Sequence, residues 1–250
     1  MRRGHQTALV AAGLTALLAP AVAVPAGAAT ATTAAVVTTR EVVGTSVEGR
    51  PVVAIHRAVP GATRVVLVIG CIHGNERAGM RVVRMLRDRA HLPADVDLWL
   101  VPTVNPDGVA ADRRTNAHGV DLNRNFSYHW HPTSKGLTWS GPRPLSEPES
   151  VALRALQQRL DPVLTLVFHQ PLFSVGATDK SPSTVRAISR GMHLPVNDLN
   201  CSGVCTGTFT SWVNARTDGL GITVEFGRSV PQWRIGAAAG TVLRVGSLVF

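Results

Sequence analysis

The sequence predicts an α/β fold in a single domain, with a β-sheet sandwiched between helices. Two observations support this prediction: short runs of β-branched residues alternate with longer segments whose apolar residues recur at helical spacing, and no repeat or linker interrupts the chain. Hydrophobic residues form 45% of the 250 residues and charged residues 16%, which excludes an intrinsically disordered chain.

The predicted elements follow one another along the chain in an alternating order. Strands are predicted at 52–55, 64–69, 96–101, 163–168 and 222–226, and helices at 75–89, 147–160, 183–192 and 233–249. The run 65–69 is apolar throughout, as in a strand that is buried on both faces. Residues 105–144 are rich in Gly, Pro, Asn and Asp. An irregular segment of this length inside a domain indicates a functional loop region.

The N-terminus has the three parts of a secretory signal peptide. Arg2 and Arg3 precede an apolar run at 7–24, and the small residues at 26–28 form a cleavage site. An uncleaved membrane anchor is the alternative, but two prolines interrupt the run. No later stretch approaches the roughly 18 apolar residues of a membrane span, so no stable membrane insertion is expected after cleavage.

Three segments are therefore expected: a cleaved signal peptide at 1–28, a flexible lead-in at 29–39 and one folded domain at 40–250. The mature protein is expected to be secreted, or to reside in the cell wall or periplasm. Thiols in such locations tend to oxidise, and Cys201 and Cys205 lie four residues apart in a turn-rich stretch, so we expect a disulfide between them. A metal role is the alternative, but no further Cys or His lies at a suitable spacing.

The charge of the chain is strongly basic, with 25 Lys and Arg against 16 Asp and Glu. All but two of the 25 are Arg, a skew that indicates GC-rich coding more than selection for DNA binding. Six Phe, five Trp and one Tyr are too few for a base-stacking surface. No nucleic-acid partner is expected, although a basic surface would favour an anionic polymer such as a cell wall.

Side chains that bind metals lie at the ends of predicted strands. His73 and Glu76 follow the strand 64–69, and an imidazole with a carboxylate suits zinc. The spacing alone is common by chance, but ligands of open α/β sheets gather at the carboxyl ends of strands. His169 ends another strand and is either a third ligand or a hydrogen-bonded core histidine. Glu225 is an acid in an apolar run, which implies a partner or a catalytic task such as that of a general base.

The loop region contributes arginines and one more acid. Arg113, Arg114 and Arg124 have guanidinium groups that suit a substrate carboxylate or a developing oxyanion, although a lone arginine is more often a solvated surface charge. Asp121 either orients a ligating histidine by accepting its other N–H or caps a turn.

At these residues the sequence resembles the M14 zinc carboxypeptidases, and the resemblance covers nearly the whole mature chain. Its motifs occur in the family's order, at 44–51 (GTSVEGRP), 73–76 (HGNE), 105–108 (NPDG), 119–126 (GVDLNRNF), 141–149 (GPRPLSEPE), His169 and 223–226 (TVEF). The resemblance implies a zinc carboxypeptidase-like fold with a mixed sheet, and makes 40–250 a metallopeptidase catalytic domain.

The resemblance also implies the roles of the residues. One zinc ion per chain would be held by His73, Glu76 and His169, with Glu225 as general base and acid. Asn123 and Arg124 would hold a substrate carboxylate. By spacing, Arg114 would stabilise the oxyanion, with Arg113 as the neighbouring alternative.

Two departures from the pancreatic members indicate the branch of the family. The only Tyr, Tyr128, lies in a different segment from their mobile Tyr, and 170–172 read Gln-Pro-Leu after His169. Together with the short chain and the stretch 201–208, this resembles the bacterial murein-peptide amidases, which cleave a γ-D-glutamyl–diaminopimelate bond. Thr210, at the position that selects the terminal side chain, is small and polar and is compatible with diaminopimelate.

The expected activity is thus zinc-dependent hydrolysis of an amide bond next to a carboxylate-bearing residue, with a cell-wall muropeptide as the peptide substrate. The alternatives are a general metallocarboxypeptidase acting on peptide C-termini and an aspartoacylase-type deacylase of N-acyl amino acids. A wall-binding pseudoenzyme is the non-enzymatic alternative, against which the intact set of ligands and general base counts.

Overall fold

The structure, a computed structural model, describes residues 35–199 and 205–248, together with Met1 and Gly4. The chain divides into two compact units, Met1–Thr33 and Ala34–Phe250, and all described helices and strands belong to the second. Apart from Met1 and Gly4, the predicted signal peptide lies outside the described residues, as does Cys201. None of the described helices combines the length and apolar character that crossing a membrane requires.

The second unit contains eight described strands and six described α-helices. The strands are β1 (Val37–Thr45), β2 (Pro51–Ala58), β3 (Arg64–Ile69), β4 (Val96–Val101), β5 (Leu164–His169), β6 (Ser174–Gly176), β7 (Val196–Asn197) and β8 (Leu220–Glu225). The helices are α1 (Ala78–Arg87), α2 (Pro106–Ala110), α3 (Pro148–Leu160), α4 (Pro182–Met192), α5 (Phe209–Arg216) and α6 (Gln232–Leu248). A short 3-10 helix covers Leu122–Arg124.

All eight strands form one mixed sheet in the order β1-β2-β4-β3-β5-β8-β6-β7. The central strands β4, β3, β5 and β8 are parallel, whereas β1 and β2, β2 and β4, and β6 and β8 pair antiparallel. The predicted fold class is therefore confirmed.

The core lies on both faces of this sheet. Along β3, Val66 and Val68 belong to the apolar cluster that includes residues of α1, α4 and α6, whereas Leu67 and Ile69 belong to the cluster with α3 and α5. All four side chains are fully buried. The apolar run of the sequence is thus a strand covered on both sides, as predicted.

The structure corrects the predicted lead-in at 29–39, because β1 begins at Val37. This edge strand pairs antiparallel with β2: Val37 lies opposite Ala58 at one end, and Thr45 lies opposite Pro51 at the other. Its side chains are mostly exposed, and its polar sequence lacks the apolar run that marks a buried strand. Four further elements, α2, β6, β7 and α5, were not predicted either.

The loop region is held by contacts between its own motifs and the rest of the domain. A Cβ on Gly74 would lie 1.9 Å from the carbonyl carbon of Gly108, so the two segments meet backbone to backbone and only glycine fits. Beside this contact, Asp107 accepts hydrogen bonds from Ser46 Oγ at 2.7 Å and Arg50 Nη1 at 2.6 Å. The turn between β1 and β2 is therefore fastened to α2 under the strand ends.

Candidate metal centre

The residues at the centre lie at the carboxyl ends of three neighbouring strands. His73 and Glu76 are in the turn that leads from β3 to α1, His169 is the last residue of β5, and Glu225 is the last residue of β8. His169 and Glu225 are directly paired in the parallel register of β5 and β8. Because parallel strands end at the same edge of the sheet, residues far apart in sequence converge there.

Three of these side chains form a close cluster. Nδ1 of His73 lies 3.0 Å from Oε1 of Glu76 and 3.2 Å from Nδ1 of His169, and Nδ1 of His169 lies 3.0 Å from Oε2 of Glu76. The exposed fractions are only 2%, 7% and 3%, so all three side chains are almost completely buried. Within the described residues it is the group identified as able to hold a metal ion.

The cluster fits zinc. Two imidazoles and one carboxylate are a frequent ligand set of catalytic zinc sites, which keep a fourth position open. Ligand atoms about 2.0–2.1 Å from a tetrahedral ion lie about 3.3 Å apart, close to the spacing of these nitrogen and oxygen atoms. The two Nδ1 atoms also face each other, an arrangement in which at most one of two neutral imidazoles can donate.

A carboxylate outside the cluster orients the first histidine. Asp121 is fully buried, and its Oδ1 lies 2.9 Å from Nε2 of His73, the nitrogen that faces away from the cluster. Such a bond fixes the tautomer and leaves Nδ1 free for a metal. Arg114 then holds Asp121 through Nε and Nη2 at 3.0 and 2.9 Å, and donates to Oε1 of Glu76 from Nη1 at 2.9 Å.

The electrostatics of the centre keep its carboxylates ionised. Burial alone would raise the pKa of Glu76, but hydrogen bonds from His169 and His73 hold it well below its usual range. Burial is likewise outweighed at Asp121, whose pKa is lowered by the charge of His73 and of Arg114. The same carboxylates raise the pKa of His73 against the effect of its burial. Metal binding therefore competes with the protonation of His73.

Glu225 has a different environment from the carboxylate of the cluster. It is 8% exposed, and among the described residues its carboxylate accepts one hydrogen bond, a long one of 3.3 Å from the backbone N–H of Leu172 to Oε2. Burial is the main cause that raises the pKa of Glu225 above its ordinary value. A carboxylate with few protein donors and a raised pKa can accept a proton and release it again.

The centre opens into a cleft of about 550 Å³. The cleft is lined by every residue that the sequence analysis placed at the catalytic or substrate-binding positions: Glu225, Arg114, Asn123, Arg124 and Thr210. It is also lined by His73 and His169, whereas Arg113 is not part of its wall. Of the two neighbouring arginines, Arg114 is thus the one that lines the cleft and contacts the cluster.

Asn123 and Arg124 are held in the cleft wall by backbone contacts. Oδ1 of Asn123 accepts from the N–H of Phe209 at 2.9 Å, and Nη1 of Arg124 donates to the carbonyl of Asn123 at 2.8 Å. Gly207, with φ +61, lets the chain pass so close that a Cβ there would lie 2.4 Å from the carbonyl oxygen of Arg124. The buried Nε of Arg124 has no hydrogen-bond partner among the described residues.

The predicted disulfide between Cys201 and Cys205 stays a prediction, because Cys201 lies outside the described residues. Sγ of Cys205 accepts a hydrogen bond of 3.1 Å from Nη2 of Arg124, so this cysteine contacts the cleft wall. Cys71 is a free, buried cysteine, and its burial raises the pKa of the thiol to about 12.

Several wall residues were not predicted. Tyr128 lines the cleft from the loop region, and Asn214 lines it from α5, as does Thr210. Oγ1 of Thr210 lies 3.0 Å from Oγ1 of Thr223, which makes this part of the wall polar. The polar residues on one face of α5 could have indicated that this helix lines the cleft, but the helix itself was not predicted.

The fold and the centre together define a metallopeptidase of the zinc carboxypeptidase class. The sequence profile of the Zinc carboxypeptidase family, Peptidase_M14, matches residues 28–171. This chain belongs to that family. The metal of the centre is accordingly zinc, in agreement with the ligand set of His73, Glu76 and His169.

Comparison with curated proteins agrees with this assignment. The chain is 34% identical to murein peptide amidase A of Escherichia coli K12 over 143 residues, which is 52% of this chain and 58% of the relative. It is 29% identical to murein peptide amidase A of Vibrio campbellii over 188 residues, covering 69% of this chain and 73% of the relative. The match thus spans little more than half the length of the Escherichia coli protein.

Solved structures share the fold. The murein-tripeptide amidase MpaA of Escherichia coli O157 superposes with a TM-score of 0.64 at 26% identity, covering 84% of this chain and 91% of that one. Carboxypeptidase A of Helicoverpa armigera reaches a TM-score of 0.70 at 18% identity, covering 85% of this chain and 68% of that one. The second likeness concerns the fold alone.

Proposed function

We propose that this chain hydrolyses an amide bond next to a carboxylate-bearing residue of a peptide, in a murein-derived substrate with a γ-D-glutamyl–diaminopimelate bond. One observation carries the proposal: Glu225 and Arg124 line the same cleft as His73 and His169 of the cluster. A metal centre, a proton acceptor and an anion-binding group in one cleft are the parts that such a hydrolysis needs.

The chemistry divides between the metal and two side chains. Zinc, when bound, supplies Lewis acidity that polarises the scissile carbonyl and lowers the pKa of the attacking water toward about 7. Glu225 takes the proton of this water and passes it to the leaving amine, as its raised pKa favours. The weak contact with Leu172 leaves its carboxylate free to do so.

Arg114 stabilises the negative charge that develops on the carbonyl oxygen. A guanidinium has five N–H donors, and the three bonds from Arg114 to Asp121 and Glu76 use one each on Nε, Nη1 and Nη2. The two remaining N–H groups are available for substrate. Because the three bonds fix the guanidinium plane, little reorganisation is needed during the reaction.

Asn123 and Arg124 bind the carboxylate that lies beside the scissile bond. Both line the cleft, and the hydrogen bonds of Asn123 with Phe209 and Arg124 hold them in place. Burial lowers the pKa of Arg124, so its charge is costly when unpaired and favours an anionic partner. The carboxylate thereby positions the amide bond over the metal centre.

The choice of a murein substrate rests on two supports. The relatives at 34% and 29% identity are murein peptide amidases. The wall at Thr210 and Thr223 is polar, which suits the polar end of diaminopimelate better than an aliphatic side chain.

Export of the protein is part of the same proposal. The N-terminal sequence of protein recovered outside the cell should begin after residue 28, and retention of Met1 would contradict export.

The experiment that tests the proposal compares substrates. Purified protein is incubated with muropeptides and, separately, with hippuryl-type peptides, and the products are identified by mass spectrometry. Release of diaminopimelate from the γ-D-glutamyl bond supports the proposal. Cleavage of hippuryl peptides alone would indicate a general metallocarboxypeptidase, and preference for a free N-acyl amino acid would indicate an aspartoacylase-type deacylase. Zinc-loaded protein without any turnover would indicate a wall-binding pseudoenzyme.

A further inference from the structure

A second groove lies beside the cleft, between α1 and the segment that follows β8, and its lining is strongly basic. None of its eight described lining residues is acidic, and four of them are arginines: Arg77, Arg81, Arg84 and Arg228. The groove has a volume of about 350 Å³. Gln170 lines both the groove and the catalytic cleft, so the two are neighbours on the surface.

Three of the arginines form a row along one helix. Arg77 immediately precedes α1, and Arg81 and Arg84 follow at spacings of four and three residues, which puts all three on the same face. At 1.5 Å per residue the row is about 10 Å long. A row of this length presents several positive charges to a single extended ligand.

Most of the positive charge in the groove is not neutralised. Arg81 donates to two neutral acceptors, the carbonyl of Val230 at 2.8 Å and Oε1 of Gln232 at 2.7 Å. These bonds hold the guanidinium group in place but do not neutralise its positive charge. Arg77 is the exception, because its Nη2 lies 2.8 Å from Oδ1 of Asp112.

The remaining two arginines of the groove are exposed. Neither Arg84 nor Arg228 makes a side-chain hydrogen bond or an ion pair with another residue in the described part of the chain. The nearby carboxylate of Asp88 is already bound at 2.7 and 3.0 Å by two nitrogens of Arg87. Three guanidinium groups of the groove are thus available to a ligand without losing an ion pair.

We propose that this groove binds an extended polymer that carries phosphate groups. The planar guanidinium donates two parallel hydrogen bonds to a phosphate, which makes arginine a preferred residue for this anion. The chain as a whole has 25 basic and 16 acidic residues, and this positive net charge also attracts an anionic polymer. Because Gln170 lines both the groove and the cleft, the bound polymer lies next to the cleft. This inference goes beyond the proposed hydrolysis and does not depend on it.

The test measures binding of inorganic tripolyphosphate to the purified protein by calorimetry at two salt concentrations. Replacing both Arg84 and Arg228 by Gln removes two charge-assisted contacts, so Kd should rise by at least about tenfold. The matched control replaces Arg186 and Arg190, two exposed arginines on α4, by Gln and should change Kd by less than about twofold. Binding of the unchanged protein should weaken as salt rises, because counterions are released.

Three results would overturn the proposal: no binding by the unchanged protein, equal weakening in both double variants, or equal binding of a poly-L-glutamate of matched charge. The Arg84 and Arg228 side chains make no bonds that folding requires, and unchanged thermal midpoints verify this. Hydrolysis of a short muropeptide that carries no phosphate should be unaffected in the groove variant. A failure of the groove and a failure of the catalytic centre are therefore distinguishable.

Discussion

Replacing Glu225 by Gln separates a catalytic carboxylate from a structural one. The change keeps the shape of the side chain and removes the proton acceptor. If Glu225 is the general base, turnover should fall by about 10²–10⁴-fold, the usual contribution of a positioned acid–base group. If it is only a buried acid, turnover per folded molecule should be nearly unchanged.

The structure sets the expected effect on stability. Glu225 accepts one described hydrogen bond, of 3.3 Å from Leu172, so the substitution weakens at most one bond, at a cost of about 0.5–1.5 kcal/mol. Its removal also relieves the unfavourable burial of a charge, which opposes that loss. For a domain of this size we expect the thermal midpoint to move by less than about 4 °C.

The assay combines three measurements on the same preparation: turnover with the substrate that the comparison of substrates identifies, zinc content, and the thermal midpoint. Zinc content should stay the same, because Glu225 is not a member of the His-Glu-His cluster. The control variant is Glu149→Gln, which alters another buried carboxylate outside the cleft. It should change stability while turnover per folded molecule stays within a few-fold.

The reasoning would be refuted by a Glu225→Gln protein that melts early, yet retains substantial turnover per folded molecule. A variant that loses its zinc would also contradict it, since the metal centre would then include Glu225. A loss of activity equal to that of Glu149→Gln would show that both act through stability alone.

Three further predictions concern the metal, the thiols and the pH dependence. His73→Ala and His169→Ala should each lose most of the zinc measured by mass spectrometry, while His56→Ala, which alters a histidine bonded to Asp97, should keep it; full occupancy in His169→Ala would contradict the ligand set. Thiol titration of unfolded, unreduced protein should find one reactive thiol, Cys71, whereas three would exclude the Cys201–Cys205 disulfide. Burial raises the pKa of Glu149, so its contribution to stability is present below the ordinary pKa of Glu and is lost as the pH rises through the higher folded-state value. The thermal midpoint of the unchanged protein should therefore fall relative to that of Glu149→Gln as the pH rises above the ordinary pKa of Glu, about 4.3, and a constant difference would contradict this assignment.

The centre of the sheet was predictable because its strands carry their own apolar signal. The predicted strand 96–101 coincides with β4, and 64–69 with β3. The strands β1, β6 and β7 could not be found in this way. They are stabilised by pairing with a neighbour, and β6 and β7 are only three and two residues long, too short for a periodic pattern.

The metal centre was predictable for a different reason. Ligands that follow parallel strands must meet at one edge of the sheet, so His73 and His169 converge although 96 residues separate them. The choice between Arg113 and Arg114 needed the structure, because only the path of the loop decides which side chain enters the cleft. Tyr128 lines the cleft for the same reason and has no local signature.

The order of β3, β5 and β8 in the sheet has a consequence for how the protein can change. The groups of the active site are spaced by the distance between adjacent strands, about 4.8 Å, and not by the length of the chain that joins them. Connections such as the one between β5 and β8 can therefore gain or lose residues while the ligand geometry stays constant. A new substrate preference can arise in the loops around the cleft without any rebuilding of the metal site.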